Sequence, residues 1–253
     1  MMIVLKSARE IEKMKEAGKL LASIHKEIRN MINPGITTWE IDQFVDGYLK
    51  KHGATAEQKG YRGYEYATCA SINDEVCHGF PRKKPLKSGD IVTIDMVVNL
   101  NGALADSAWS YAVGDVTEKT QRLLDVTKEA LYEGIKASVP GNRIGDIGHA
   151  IQTYVESKGF SVVREFIGHG IGAVIHEKPD VPHFGLPGKG ARIKEGMVFT
   201  IEPMVNIGEW PTKMDDNGWT ARTVDGTLSA QYEHTIAITK DGPVILTDQD
   251  ENS

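Results

Sequence analysis

The chain predicts an α/β fold of the α+β kind, in which one helix-helix-strand unit is written twice. Three observations carry that reading. Pro34-Gly35 is followed by a helical pattern of apolar residues that stops at Gly53, and Pro140-Gly141 by a like pattern that stops at Gly159 over the same distance. Leu86-Lys-Ser-Gly-Asp-Ile-Val-Thr-Ile-Asp95 is matched downstream by Ile193-Lys-Glu-Gly-Met-Val-Phe-Thr-Ile-Glu202. Asn101-Gly102 is a strong signal for a two-residue hairpin, which makes the strands around it antiparallel.

Taken in order, Ser7 with Glu10 forms a capping box that starts a first amphipathic helix. Ile41, Phe44, Val45, Tyr48 and Leu49 mark the second at helical spacing. The run Ile91-Val92-Thr93-Ile94 reads as a buried strand ending on Asp95, and pairing around Asn101-Gly102 sets residue 97 opposite residue 106. Asp106 is then a diagonal, same-face neighbour of Asp95, about 7–8 Å away. Thr117 with Glu118 opens a third helix, and Ile144, Ile147, Ile151, Tyr154 and Val155 mark a fourth. Val198-Phe199-Thr200-Ile201 is a strand that leads to Glu202. Asp225-Gly226 is a second turn signal, feeding the strand that carries Glu233 ahead of Thr235-Ile236-Ala237-Ile238. Residues 1–253 are expected to form one domain, with the repeat at about 7–114 and 115–247. Asp95 and Glu202 would then be equivalent positions meeting near the axis between the halves.

Composition narrows the function. With 29 basic against 35 acidic residues the formal charge is −6, a poor footprint for nucleic acid or an anionic membrane. Lys6, Arg9 and Glu10 break up the start of the chain, and no apolar run approaches the roughly 20 residues that span a bilayer. Two cysteines, Cys69 and Cys77, build neither a disulfide framework nor a Cys-rich zinc site and fit a reducing cytoplasm. The tail from Asp248 to Ser253 reads as a solvated end.

Asp95, Asp106, His169, Glu202 and Glu233 all stand at the ends of strand-like runs. Carboxylates beside buried strands are costly unless something positive meets them. Two unit charges about 5 Å apart repel by roughly 3 kcal/mol at an effective dielectric near 20, so four gathered acids either take up protons or collect cations. Two divalent ions cancel four negative charges. His169 lies in Gly168-His169-Gly170-Ile171-Gly172, where the glycines would let backbone pass close to a bound ion. Four carboxylates and one imidazole favour Mn, Fe or Co, with Zn allowed. Two such ions suit hydrolysis of an amide bond. Spacing alone leaves His78 and His176 unassigned, and His25, His52, His149, His183 and His234 read as ordinary.

The segments Asn73–Gly79, Ile94-Asp95 with Asp106, Gly168–Gly172 with His176, Thr200-Ile201-Glu202-Pro203-Met204 and Gln231-Tyr232-Glu233-His234 together resemble the type I methionine aminopeptidases. The match runs from about Ser7 to Thr247, in the family's order. It implies the pita-bread fold, two pseudo-twofold-related halves around a central antiparallel sheet. It makes Asp95, Asp106, His169, Glu202 and Glu233 the ligands of two divalent ions (Co, Mn, Fe or Zn), bridged by Asp106 and Glu233. By the same resemblance, a metal-bridging hydroxide would attack the first peptide bond, Glu202 would shuttle a proton, His176 would stabilise the oxyanion and His78 would contact the substrate amide. The resemblance also points to Tyr61, Tyr64, Cys69, Ile175 and Trp219 as the methionine pocket, with Ile175 where relatives often carry Phe and Gln58 where some carry Cys. Asn73, backbone near Glu75, and Ser229 resemble an auxiliary monovalent-cation site.

The implied enzyme removes the N-terminal methionine of nascent polypeptides when the second residue is small. It would act as a cytoplasmic monomer, in transient association with the ribosome. Because the chain itself begins Met1-Met2, Met1 is expected to be retained. A proline-specific peptidase of the same fold would usually carry a large N-terminal domain, and a type II enzyme an insertion between His169 and Glu233. A non-catalytic binding module should have lost ligands, and all five are present. The start also lacks the Cys/His-rich extension of some eukaryotic members, as in the minimal bacterial form.

Overall fold

Helix starts follow the capping chemistry written in the sequence. The computed structural model of the chain describes residues 2–249, so the expectations for Met1 and for residues 250–253 lie outside the described residues. α1 (Ala8–Met31) opens with the Ser7–Glu10 capping box, and α2 (Thr38–Lys51) with a second box at Thr37 and Glu40. α3 (Glu118–Ala137) starts on Thr117, whose hydroxyl accepts from the Thr120 amide, and α4 (Ile144–Ser157) follows Arg143. α1 buries Met14, Ala17, Leu21, Ile24 and Ile28, spaced three or four apart on one face. Each fully buried Leu or Ile there contributes about 1.5–3 kcal/mol of transfer free energy.

Strands β1 (Ala54–Ala56), β2 (Cys69–Ile72), β3 (Glu75–Cys77), β4 (Ile91–Leu100) and β5 (Ala103–Ala112) precede α3. After α4 come β6 (Ser161–Val162), β7 (Gly168–Gly170), β8 (Glu177–Val181), β9 (Val198–Ile201) and β10 (Met204–Asn206). β11 (Thr212–Met214), β12 (Ala221–Thr223), β13 (Ser229–Gln231), β14 (His234–Thr239) and β15 (Gly242–Ile245) complete the chain. All pairings are antiparallel, and the expected central sheet is distributed over four ladders. One joins β1, β4, β2 and β5; another runs β15-β14-β9-β7-β8; β13-β10-β6 and β11-β12-β3 are smaller.

The β4/β5 hairpin has the expected register, Val97 opposite Asp106 and Asp95 opposite Ala108. Asn101 and Gly102 both take positive φ, 53° and 83°, which a two-residue turn of this kind requires. Asp225-Gly226 behaves differently, because β12 and β13 on either side of it belong to different ladders. Asp225 Oδ1 accepts from the Thr227 amide and hydroxyl, making a side-chain-closed turn instead of a hairpin. Glu233 accordingly lies in the break between β13 and β14 rather than inside a strand. A further correction concerns the tail: Gln249 is buried and accepts from Arg29 Nη2 at 3.2 Å, so it is not part of a solvated end.

The same local contacts recur in both parts of the chain. Thr37 bridges Pro85 before α2, and Arg143 bridges Arg192 before α4. Between the two large ladders, β5 faces residues 231–235 across a seam closed largely by hydroxyls. Ser107 Oγ donates to the Glu233 carbonyl and Ser110 Oγ to that of Gln231, both at 2.8 Å. The Asp106 amide donates to Thr235 Oγ1 at 2.9 Å, and that hydroxyl donates back to the Asp106 carbonyl at 2.8 Å. Acids from both parts are brought together along this seam.

Candidate metal centre and substrate cavity

Asp95 projects from β4, Asp106 from β5 and His169 from β7, while Glu202 follows β9 directly and Glu233 occupies its break. Asp106, His169 and Glu233 each offer a ligand atom within 4.8 Å of the other two. His169 Nε2 lies 3.7 Å from Asp106 Oδ2 and 3.6 Å from Glu202 Oε1. Asp95 and Glu202 line the same cavity as these three, so all five expected ligands converge. Thr200 links two of them, its hydroxyl accepting from the His169 amide at 3.0 Å and donating to Glu202 Oε1 at 2.7 Å. The glycines beside His169 let neighbouring backbone approach closely. A Cβ at Gly168 would fall 2.5 Å from the Thr200 carbonyl oxygen, and one at Gly170 2.4 Å from that of Lys178.

Burial sets the protonation of the cluster. It raises Asp95 to about 7, and raises Glu202 to about 8 with a further push from the Asp95 charge. Asp106 and Glu233 go well above the usual carboxylate range, through burial first and neighbouring acids second. Burial lowers His169 to about 4, which keeps its ring neutral. Its Nδ1 lies 3.1 Å from the Gly170 carbonyl, so Nδ1–H donates there and the Nε2 lone pair faces Asp106 and Glu202. Asp106 Oδ1 and Glu233 Oε1 are buried without a hydrogen-bond partner. A lone pair turned toward acids, beside two orphaned carboxylate oxygens, is a set that cations complete. The residues fit divalent metal.

The cluster opens into a cavity of about 510 Å³ lined by Tyr61, Tyr64, Cys69, His78, Ile175, His176 and Trp219, all anticipated from sequence. Gln58, Arg62, Cys77, Phe166 and Met204 line it as well. Tyr64 stands edge-on to Trp219 with ring centres 5.0 Å apart, and its hydroxyl donates to the Thr68 carbonyl at 2.9 Å. Tyr61 Oη lies 3.2 Å from His176 Nδ1, and the His176 and His169 ring centres are 4.2 Å apart. His78 has φ 55° and sits edge-on to Phe166 and Trp219; burial holds its ring neutral, at about 4. The Gln58 amide is committed to backbone, accepting from the Val97 amide and donating to the Ala67 carbonyl. Burial pushes both the Cys69 and Cys77 thiols well above their usual range.

Asn73, Glu75 and Ser229 lie apart from this cavity. The Ser229 amide donates to the Asn73 carbonyl, and Ser229 Oγ is buried without a partner. The Glu75 carboxylate is taken up by Arg82 and Arg222, leaving only backbone near it for a cation. His183, read as ordinary, is buried and accepts the Glu202 amide on Nε2 at 3.1 Å. No motif around His183 announces that contact, which joins residues 19 apart.

Such a cluster beside an apolar cavity belongs with metal-dependent hydrolysis, and the whole-chain comparison agrees. The chain belongs to metallopeptidase family M24, whose description matches residues 12–240. It is 50% identical to methionine aminopeptidase 1 of Bacillus subtilis, over 97% of this chain and 99% of that one. The crystal structure of methionine aminopeptidase from Rickettsia prowazekii superposes with a TM-score of 0.96 at 45% identity, covering 98% of this chain and 100% of that one. The prolidase from Pyrococcus horikoshii, at 22% identity and a TM-score of 0.77, shares the fold; this chain spans 65% of it.

Proposed function

We propose that this chain is a methionine aminopeptidase, a hydrolase that removes the N-terminal methionine of nascent proteins and peptides whose second residue is small. One observation carries the reading: the buried acids and His169 open directly into a cavity walled by aromatic rings and by the sulfurs of Cys69, Cys77 and Met204. A thioether gains about 0.3–1.5 kcal/mol from each sulfur-aromatic contact, so such a wall selects methionine. Residues 1–253 act as a single catalytic domain of two related halves, a reading supported by the recurring bridges before α2 and α4.

Asp95, Asp106, His169, Glu202 and Glu233 would hold two divalent ions (Co, Mn, Fe or Zn). Bound there, the ions supply Lewis-acid polarisation of the scissile carbonyl and acidify water. Glu202 accepts a proton from water and passes it to the leaving amine. His176 donates to the developing oxyanion, and neutral His78 binds the substrate amide. The acids also hold the free α-amine, which restricts cleavage to the first bond. Asn73, backbone near Glu75, and Ser229 would take one monovalent cation. The enzyme works in the cytoplasm as a monomer, in transient contact with the ribosome. No helix among the described residues is long and apolar enough to cross a membrane.

Chelated protein refilled with one metal at a time, assayed on Met-Ala-Ser and on Ala-Pro peptides, tests this. Met-Ala-Ser should be cleaved by refilled protein alone. Full turnover after chelation, or preference for Ala-Pro, would refute it.

A further inference from the structure

We infer that Lys6 is a positioning residue for hydrolysis: through Glu177 it fixes the 172–177 segment that carries Ile175 and His176 into the cavity. The inference rests on reading His176 as the oxyanion donor. Lys6 stands in the extended stretch before α1, far from the site in sequence. Its ammonium side chain is 6% exposed and lies 2.5 Å from Glu177 Oε2, itself on a side chain 13% exposed. The other carboxylate oxygen, Oε1, accepts from the Ala173 amide at 2.8 Å. One acid therefore ties the loop's start to its end, and Lys6 holds that acid in place.

The surroundings are shaped to the lysine. A Cβ at Gly172 would fall 2.3 Å from Lys6 Cε and Nζ and 2.9 Å from Glu177 Oε1, so a side chain there would displace the paired head groups. The Lys6 amide donates to the Gly196 carbonyl at 2.6 Å, which anchors the lysine backbone on the stretch leading into β9. Residues 172–176 belong to no helix or strand, and their path depends on tethers of this kind. Glu177 directly follows His176, whose ring lies against Tyr61 and His169 in the cavity, so the tether on Glu177 acts on the neighbouring residue.

A purely structural pin would lower stability and leave chemistry per folded molecule alone. Lys6→Met, His176→Ala and the double variant, in full-length metal-loaded protein, separate the two roles. kcat and KM on Met-Ala-Ser, metal content and Tm are read for each. Lys6→Met should lower kcat about tenfold with KM within about twofold and metal content unchanged. In the His176→Ala background it should change kcat by less than about twofold, because residues acting through one group are not additive. Lys6→Arg, which keeps the charge, should recover most of kcat. If Lys6→Met does not fold, Glu177→Gln takes its place in the same cycle. An unchanged kcat alongside a lowered Tm, or a loss that multiplies fully with His176→Ala, overturns the inference. Wild-type kcat in His176→Ala overturns the role of His176 itself, and the Lys6 inference with it.

Discussion

The amino-terminal part of the chain delivers Asp95 and Asp106 from the interior of one regular hairpin of two ten-residue strands, whereas the carboxy-terminal part delivers Glu202 and Glu233 from places where strands stop. On the hairpin, backbone register alone aims both carboxylates, since a one-residue slip would turn them to the other face. At the strand ends, aim comes from side-chain bonds: Thr200 and Gln231 on the Glu202 carboxylate, and His183 on its amide. One site is thus assembled by two kinds of constraint. Regular pairing fixes direction cheaply but offers few angles, and irregular ends reach the remaining ones.

The comparison can be broken most forcefully on the hairpin. Asp106→Asn should fold, with a Tm in chelator within a few degrees of wild type, yet lose both bound metal and turnover. The loss should be at least about 10³-fold, above the 10–100-fold typical of a residue that merely supports a ligand. Surviving turnover would show that Asp106 is not a working ligand. Gly168→Ala probes the irregular side. Its Cβ meets the Thr200 carbonyl oxygen, so β7 must part from β9 and carry His169 with it, for a loss of about 10–100-fold. Turnover equal to wild type would show that His169 does not depend on that close approach.

Protonation gives a smaller effect with a definite sign. Asp95 and Glu202 are raised to about 7 and about 8, so the folded metal-free chain holds protons that the unfolded chain, titrating near 4, has released. That stability is lost as pH rises toward 8. Histidines act oppositely: His78 and His169 near 4 and His25 and His183 near 3 oppose folding only as pH falls below 6.5. Between pH 6.5 and 8 the acids therefore dominate. Each proton involved is worth about 1.4 kcal/mol per pH unit, or about 3–6 °C in Tm. Calorimetry in chelator should show Tm falling across this window, and saturating divalent metal should flatten it. A flat profile in chelator would contradict the raised carboxyls.

Smallest is the hairpin turn itself. Gly102 has φ 83° and open space around its Cβ position, so Gly102→Ala costs backbone strain alone, about 1–2 kcal/mol. Tm should drop by a few degrees with turnover unchanged; lost turnover would mean that the turn sets the acids' register more tightly than the ladder does.

What could be read from sequence follows the same division. Helix starts were legible at Ser7 and Thr117 because capping is local chemistry, and the Val97–Asp106 register followed from Asn101-Gly102 and a period of two. The four acids and His169, with their neighbours from Tyr61 to Trp219, do gather at one cavity. Glu233 was placed on a strand and lies in the break between β13 and β14. The glycines around His169 also admit neighbouring backbone, a role that was not anticipated. His183 and the Lys6–Glu177 pair were invisible because each is a contact between distant residues with no periodicity to announce it.

Cys69 and Cys77 bring two sulfurs to a cavity built to hold an activated carbonyl. A thiolate in that position would be a competing nucleophile, able to trap the substrate as a thioester. Burial pushes both thiols well above their ordinary range, so at neutral pH they remain protonated and polarizable. Alkylating reagents that silence cysteine peptidases therefore find little to react with here, and the wall keeps the softness that suits a thioether without its reactivity.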